Sequence, residues 1–174
     1  MEYVLVVDKN DNPIRTRSRE MVHKTGEWHR GVHVLLTDKD GRFILQIRSK
    51  NRRVYPGTYD CSASGHVLFN EDYDTAAKRE LKEELGVTIN LKRWVKFRMN
   101  YGPNDNMISM VYTGQYDGVI RANDEVDRIE RLKCEEIRRL LEREPEKFAK
   151  WTREFFKWYF GLPSEIEILE NYFE

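Results

Sequence analysis

Between Gly65 and Gly86 lies a run, Asp72 to Leu85, that is rich in Ala, Leu, Glu, Lys and Arg and contains Glu80, Glu83 and Glu84. These residue types favour a helix, and spacings of i, i+3 and i+4 put the three carboxylates on one helical face. Like charges this close repel, which drives protons onto some of them unless cations intervene. Carboxylate oxygens with no neighbouring cysteine suit a hard divalent ion such as Mg²⁺. A Glu-rich helix on its own is an ordinary solvated face, with Arg79 and Glu83 a surface pair of little worth. The segment therefore constrains the fold through its surroundings, which must turn this face toward further ligands.

Strand signals surround the helix. Tyr3 to Val7 reads as a strand, Asp8 to Pro13 as a turn, and a return strand from Ile14 completes a hairpin. Val32 to Thr37 and Phe43 to Ile47 flank the turn Asp38 to Gly41. A basic loop, with Arg48, Lys50, Arg52 and Arg53, leads to Tyr55-Pro56-Gly57 and a strand from Thr58 to Ala63. Asp74 or Thr75 is placed to cap the helix, and Gly86 to end it. Strands about Trp94 to Met99 and Met107 to Tyr116 follow, and the remainder reads as helical. There Ile137, Leu140 and Leu141 form one apolar stripe, and Phe148, Trp151, Phe155 and Trp158 another, each suited to covering the sheet. The expectation is a mixed α/β domain with helices layered on a sheet.

A length of 174 residues fits one domain spanning 1–174. The chain has 34% charged residues and no apolar run approaching a membrane span, so no membrane partner is expected. The N-terminal residues lack a signal-peptide pattern, which points to the cytoplasm. Thirty basic side chains balance thirty acidic ones, which argues against nucleic acid as a partner. The balance is regional, with 12 basic and 8 acidic side chains in residues 1–64 against 11 and 16 in residues 101–174. That pattern favours a local site for a small phosphate-bearing ligand. Cys61 and Cys134 have no metal-ligand spacing and read as small buried thiols. Oligomeric state has no sequence signal.

Gly65, Glu71, Arg79, Glu80, Glu83, Glu84 and Gly86, with Leu81 and Val87 apolar, match the pattern G-x5-E-x7-R-E-U-x-E-E-x-G-U, where U is a bulky aliphatic residue. The chain thus resembles the Nudix superfamily. The resemblance implies an α/β/α sandwich around a mixed sheet, here with an extra N-terminal hairpin and C-terminal helices. It also implies metal-assisted cleavage of a diphosphate linkage, in a nucleoside diphosphate derivative or a similar small organic diphosphate. Glu80, Glu83 and Glu84 would hold Mg²⁺, with Mn²⁺ as a substitute. Arg79 would orient the glutamates, Glu71 would support the loop, and Gly65 would let the backbone approach the metal. Nudix enzymes often place the general base on a later loop. Glu125 in Asp124-Glu125-Val126 is the candidate there, the alternatives being an acid opening a terminal helix and Glu84 as the base.

Tyr55-Pro56-Gly57 and Ser64-Gly65-His66 resemble the branch related to isopentenyl-diphosphate isomerase, an enzyme that shifts a double bond and hydrolyses nothing. Its catalytic Cys position is Ser64 here, and Cys61, three residues earlier on an extended segment, is expected on the opposite face. The isomerase Glu-x-Glu pair corresponds to Asn104-Asp105-Asn106, whose Asn side chains cannot ionise. His66 matches a histidine of the isomerases' second metal site and His23 and His29 match approximately, but without the Glu pair that site reads as incomplete. The intact acids favour a hydrolase. An isomerase-like enzyme and a non-catalytic nucleotide-binding Nudix module are the alternatives. Trp28, Tyr55, Tyr59 and Tyr101 are aromatics that either stack on substrate or pack.

Overall fold

A computed structural model describes residues 1–173. In chain order the elements are β1 (Tyr3–Val7), β2 (Pro13–Ser18), α1 (Arg19–Thr25), β3 (His29–Thr37), β4 (Phe43–Arg48), β5 (Tyr59–Asp60) and β6 (Ala63–His66). There follow α2 (Tyr73–Leu85), β7 (Lys92–Asn100), β8 (Asn106–Gln115), β9 (Val126–Leu132), α3 (Cys134–Arg143), α4 (Lys150–Tyr159) and β10 (Glu167–Asn171). Among the described residues the ten strands form one mixed sheet, whose main path runs β10-β7-β8-β3-β1-β2. Only β3 and β8 in that path pair in parallel; the other ladders are antiparallel.

The sheet divides at β3. This strand pairs with β6 over Gly31–Val34 but with β4 only at Leu36 and Thr37. Strands β4, β5 and β9 therefore form a separate arm. Side chains alternate across the sheet. Val32, Val34 and Leu36 point to the face covered by Ala76, Ala77, Leu81 and Leu85 of α2. On the other face, Leu35, Phe97 and Val111 pack against Trp151, Phe155 and Phe156 of α4 and Ile137 and Leu141 of α3. The expected α/β/α layering is present, and the aromatic stripe of the C-terminal region serves the core.

Several local expectations are corrected. Asp72, not Asp74 or Thr75, caps α2 by accepting from the Thr75 amide at 2.8 Å. Gly86 ends α2 as expected, in the left-handed region at φ 65°. The strand expected over Thr58 to Ala63 is two strands, β5 and β6, broken at Cys61 and Ser62. The break overturns the facing argument for Cys61, whose thiol lies 3.6 Å from His33 Nδ1, on the face that also carries Ser64. The C-terminal remainder is not all helical, since β9 and β10 are edge-type strands rich in charge. Consequently Glu125 stands before a strand rather than at a helix start. α1 and its cap, Ser18 accepting from Met21, had no expectation at all. Cys61 is buried, whereas Cys134 is only half-buried.

Candidate metal and substrate site

The break in the sheet gives α2 a way through. Glu84 is 4% exposed and its carboxylate accepts from Gln46 Nε2 at 2.6 Å, while the same amide also donates to Ser62 O. One turn earlier, Glu80 lies against Gly65. A Cβ built on Gly65 would sit 2.1–2.8 Å from the Glu80 carboxylate, so the missing side chain is the space that this carboxylate occupies. Gly65→Ala should therefore displace Glu80 with little cost to folding, because only the end of one side chain must move. We expect about a hundredfold loss of metal-dependent turnover from a shift on the order of 1 Å, checked by kcat/KM together with thermal denaturation.

Arg79 is the organiser of this face. Its guanidinium donates to Glu71, to Glu80 at 2.7 Å, to Glu83 at 3.4 Å and to the His66 carbonyl at 2.9 Å. Glu71 in turn accepts from the Leu68 amide, which closes the loop ahead of α2. Burial pushes the Glu80 carboxyl up to about 7 despite Arg79, with Glu83 and Glu125 adding repulsion. Burial likewise raises Glu84 well above the carboxylate range, and Glu80, Asp60 and Glu125 reinforce the shift. Glu83 is 56% exposed and stands at the rim. Glu125 reaches the same rim from the later loop, where Asn123 N donates to the Glu84 carbonyl and Ser49 N to the Glu125 carbonyl, each at 2.9 Å. The structure thus brings Gly65, Glu71, Arg79, Glu80, Glu83, Glu84 and Glu125 together. Buried Glu84, half-buried Glu80 and two rim carboxylates around an open backbone offer an oxygen donor set for a hard divalent ion.

A second constellation lies beside it. His23 of α1, His29 of β3 and His66 of β6 bring their ring nitrogens within 4.8 Å of one another. Register explains the meeting, because Gly31 pairs with His66 and so sets it beside His29, on the same face. Asp105, in the turn before β8, places Oδ1 3.4 Å from His23 Nε2 and 3.6 Å from His29 Nε2. Those four atoms, His23 Nε2, His29 Nε2, His66 Nε2 and Asp105 Oδ1, are buried without hydrogen-bond partners. Burial lowers the basicity of His29 and His66, and neighbouring histidines add to it, so both rings favour the neutral form that coordinates metals. Three imidazoles and a carboxylate with orphaned, converging atoms fit a transition-metal ion. In the segment matching the isomerase Glu pair, Asp105 lies beside the histidines, while Asn106 donates to the Gly26 carbonyl and Asn104 to the Lys24 carbonyl.

Toward α4 the same face becomes aromatic. Tyr101 stacks on Trp151 at 5.4 Å, and its hydroxyl joins Ser109 and His33 Nε2. Arg48 is corrected from a loop cation to a buried one, paired with Asp60 at 2.9 Å. Asp60 also accepts from Trp151 Nε1 and the Thr152 hydroxyl. The group His33, Asp60 and Cys61 is thus a satisfied hydrogen-bond network beneath the site.

A family model described as the NUDIX domain matches residues 27–159. The chain is 29% identical over 155 residues to isopentenyl-diphosphate Delta-isomerase of Serratia proteamaculans, covering 86% of this chain and 87% of that one. It is 30% identical over 152 residues to prenyl-diphosphate phosphatase of Methanosarcina mazei, covering 85% and 89%. Among solved structures, a Deinococcus radiodurans protein superposes with a TM-score of 0.68 at 23% identity, over 85% of this chain and 91% of that chain.

Proposed function

The chain belongs to the Nudix family, in the branch that includes isopentenyl-diphosphate isomerases, and from that premise we propose that it is a Mg²⁺-dependent hydrolase of a small organic diphosphate. The observation that carries this reading is the pair of enclosed acids, half-buried Glu80 and buried Glu84, set against the open backbone of Gly65. Such a pair is costly to retain unless a cation fills it. Bound there, Mg²⁺ supplies charge neutralisation for the phosphates and acidifies the attacking water. In the reaction, water adds to one phosphorus and the P–O–P bridge breaks, leaving two phosphate products, one of them attached to the organic group. Glu125 or Glu84 takes the proton from the water. Arg79 keeps Glu80 and Glu83 oriented, and Gln46 does the same for Glu84.

Among small organic diphosphates, the reading favours one with an apolar organic group. A relative named prenyl-diphosphate phosphatase supports that choice. Ser64, in place of the isomerase thiol, argues against double-bond migration, because a hydroxyl is a far weaker acid. The test is a panel of prenyl diphosphates and nucleoside diphosphate derivatives incubated with Mg²⁺, with phosphate release as the readout. We expect release from at least one member and none after chelation. Isomerisation of isopentenyl diphosphate without release from any panel member would overturn the reading.

A further inference from the structure

Of the arginines around the acidic cluster, two are fully committed. Arg79 serves Glu71, Glu80, Glu83 and the His66 carbonyl, and Arg48 is buried against Asp60 with its Nε on the Val54 carbonyl. Arg52 is different. Its Nη1 lies 3.1 Å from Glu125 Oε2, and the side chains are 33% and 46% exposed. Exposed pairs are weak and exchange readily. Their backbones, by contrast, are fixed, since Ser49 N donates to Glu125 O, Arg52 N to Ser49 O, and Asn123 N to Glu84 O. Two tethered loops thus hold a loosely paired arginine and glutamate at the rim of the buried acids.

We propose that Arg52 changes partners during turnover: it holds Glu125 aside in the free protein and takes the substrate's diphosphate once a divalent ion draws Glu125 inward. This rests on the diphosphate-hydrolase reading. The charges decide the direction. Without a cation, the enclosed carboxyls of Glu80 and Glu84 offer Glu125 no attraction, so the arginine outside is its better partner, as the 3.1 Å pair shows. With a cation on those acids, Glu125 is attracted inward, and Arg52 is left with an unpaired guanidinium beside the place where phosphate arrives. A planar fork of donors fits a phosphate in two-point fashion.

The test is Mg²⁺ titration calorimetry without substrate on wild type, Arg52→Ala, Glu125→Gln and the double variant, with steady-state kinetics on a turned-over panel member. Arg52→Ala should tighten Mg²⁺ about fivefold, because Glu125 no longer has a competing partner. The same variant should raise KM about tenfold with a smaller change in kcat. In the Glu125→Gln background, Arg52→Ala should leave Mg²⁺ affinity unchanged. Equal tightening in both backgrounds would mark a general charge effect and overturn the exchange, as would no tightening in either. Arg52→Lys, which keeps the charge, should retain wild-type Mg²⁺ affinity while KM still rises; loss of both effects together would count against the two-partner role. Wild-type turnover without coupling sinks the exchange alone. Coupling without turnover on any diphosphate sinks the hydrolase reading and the substrate half of the exchange.

Discussion

Glu84→Gln should cut metal-dependent turnover at least about a hundredfold while leaving the metal-free fold no less stable than wild type. The loss exceeds the range usual for outer-shell partners, about 10–100-fold, because Glu84 is proposed to touch the ion. The stability half follows from burial. At 4% exposure, the Glu84 carboxylate is disfavoured in its charged form, and a glutamine can still accept from Gln46. The sign in pH is fixed by the raised pKa values of Glu80 and Glu84. A carboxyl whose folded-state pKa lies above its unfolded value makes the folded state bind more protons, so stability falls as pH rises between the two. For Glu80 that window runs from the ordinary 4.5 to about 7. Each unit is worth about 1.4 kcal/mol, so Glu80 alone accounts for on the order of 3 kcal/mol. Metal-free protein should therefore melt lower at pH 8 than at pH 5, Mg²⁺ should reverse the trend, and Glu84→Gln should reduce it to the part that Glu80 contributes. Thermal midpoints with and without chelator at both pH values check this. Wild-type turnover in the variant would refute the assignment.

The contrast between what was readable in the chain and what was not has a physical origin. The acidic face of α2 follows from spacing within a single helix, and Gly65, Glu71 and Arg79 follow from the resemblance over one continuous segment. Those relations are local, so sequence order preserves them. Glu125 was readable only as a position after a strand, because its place depends on how the loop is tied to Glu84 and Ser49. The resemblance points to His66 and, approximately, to His23 and His29, but their meeting and the place of Asp105 depend on three elements and a turn. His23 comes from a seven-residue helix with one buried side chain, Val22, too short to show periodicity. His29 and His66 meet through strand register, and Asp105 enters from a turn some forty residues further on. β9 is hidden in the chain because alternate burial is faint in Val126-Asp-Arg-Ile-Glu-Arg-Leu132, where charge fills the solvent side of an outer strand. The facing of Cys61 does not follow from period-two alternation, which fails where the backbone breaks between β5 and β6.

The histidine site gives the largest expected effect on stability. Four buried polar atoms without partners are a cost the fold carries in the metal-free state. An ion present at about a thousand times its dissociation constant would add roughly 4 kcal/mol. For a chain of this length, that corresponds to a rise of about 10 °C in thermal midpoint. Protein stripped with a strong chelator should therefore melt about 10 °C below protein reloaded with a transition metal, with elemental analysis finding one equivalent regained. Asp105→Asn should weaken that binding and shrink the shift, since an amide oxygen brings no charge to the ion. The Mg²⁺ acids can be separated from this site in the same experiment. Glu84→Gln leaves all four orphaned atoms in place, so it should keep the transition-metal shift while losing turnover. A stripped protein that melts like the reloaded one would remove the second ion and leave the diphosphate chemistry to Glu80, Glu83 and Glu84 alone.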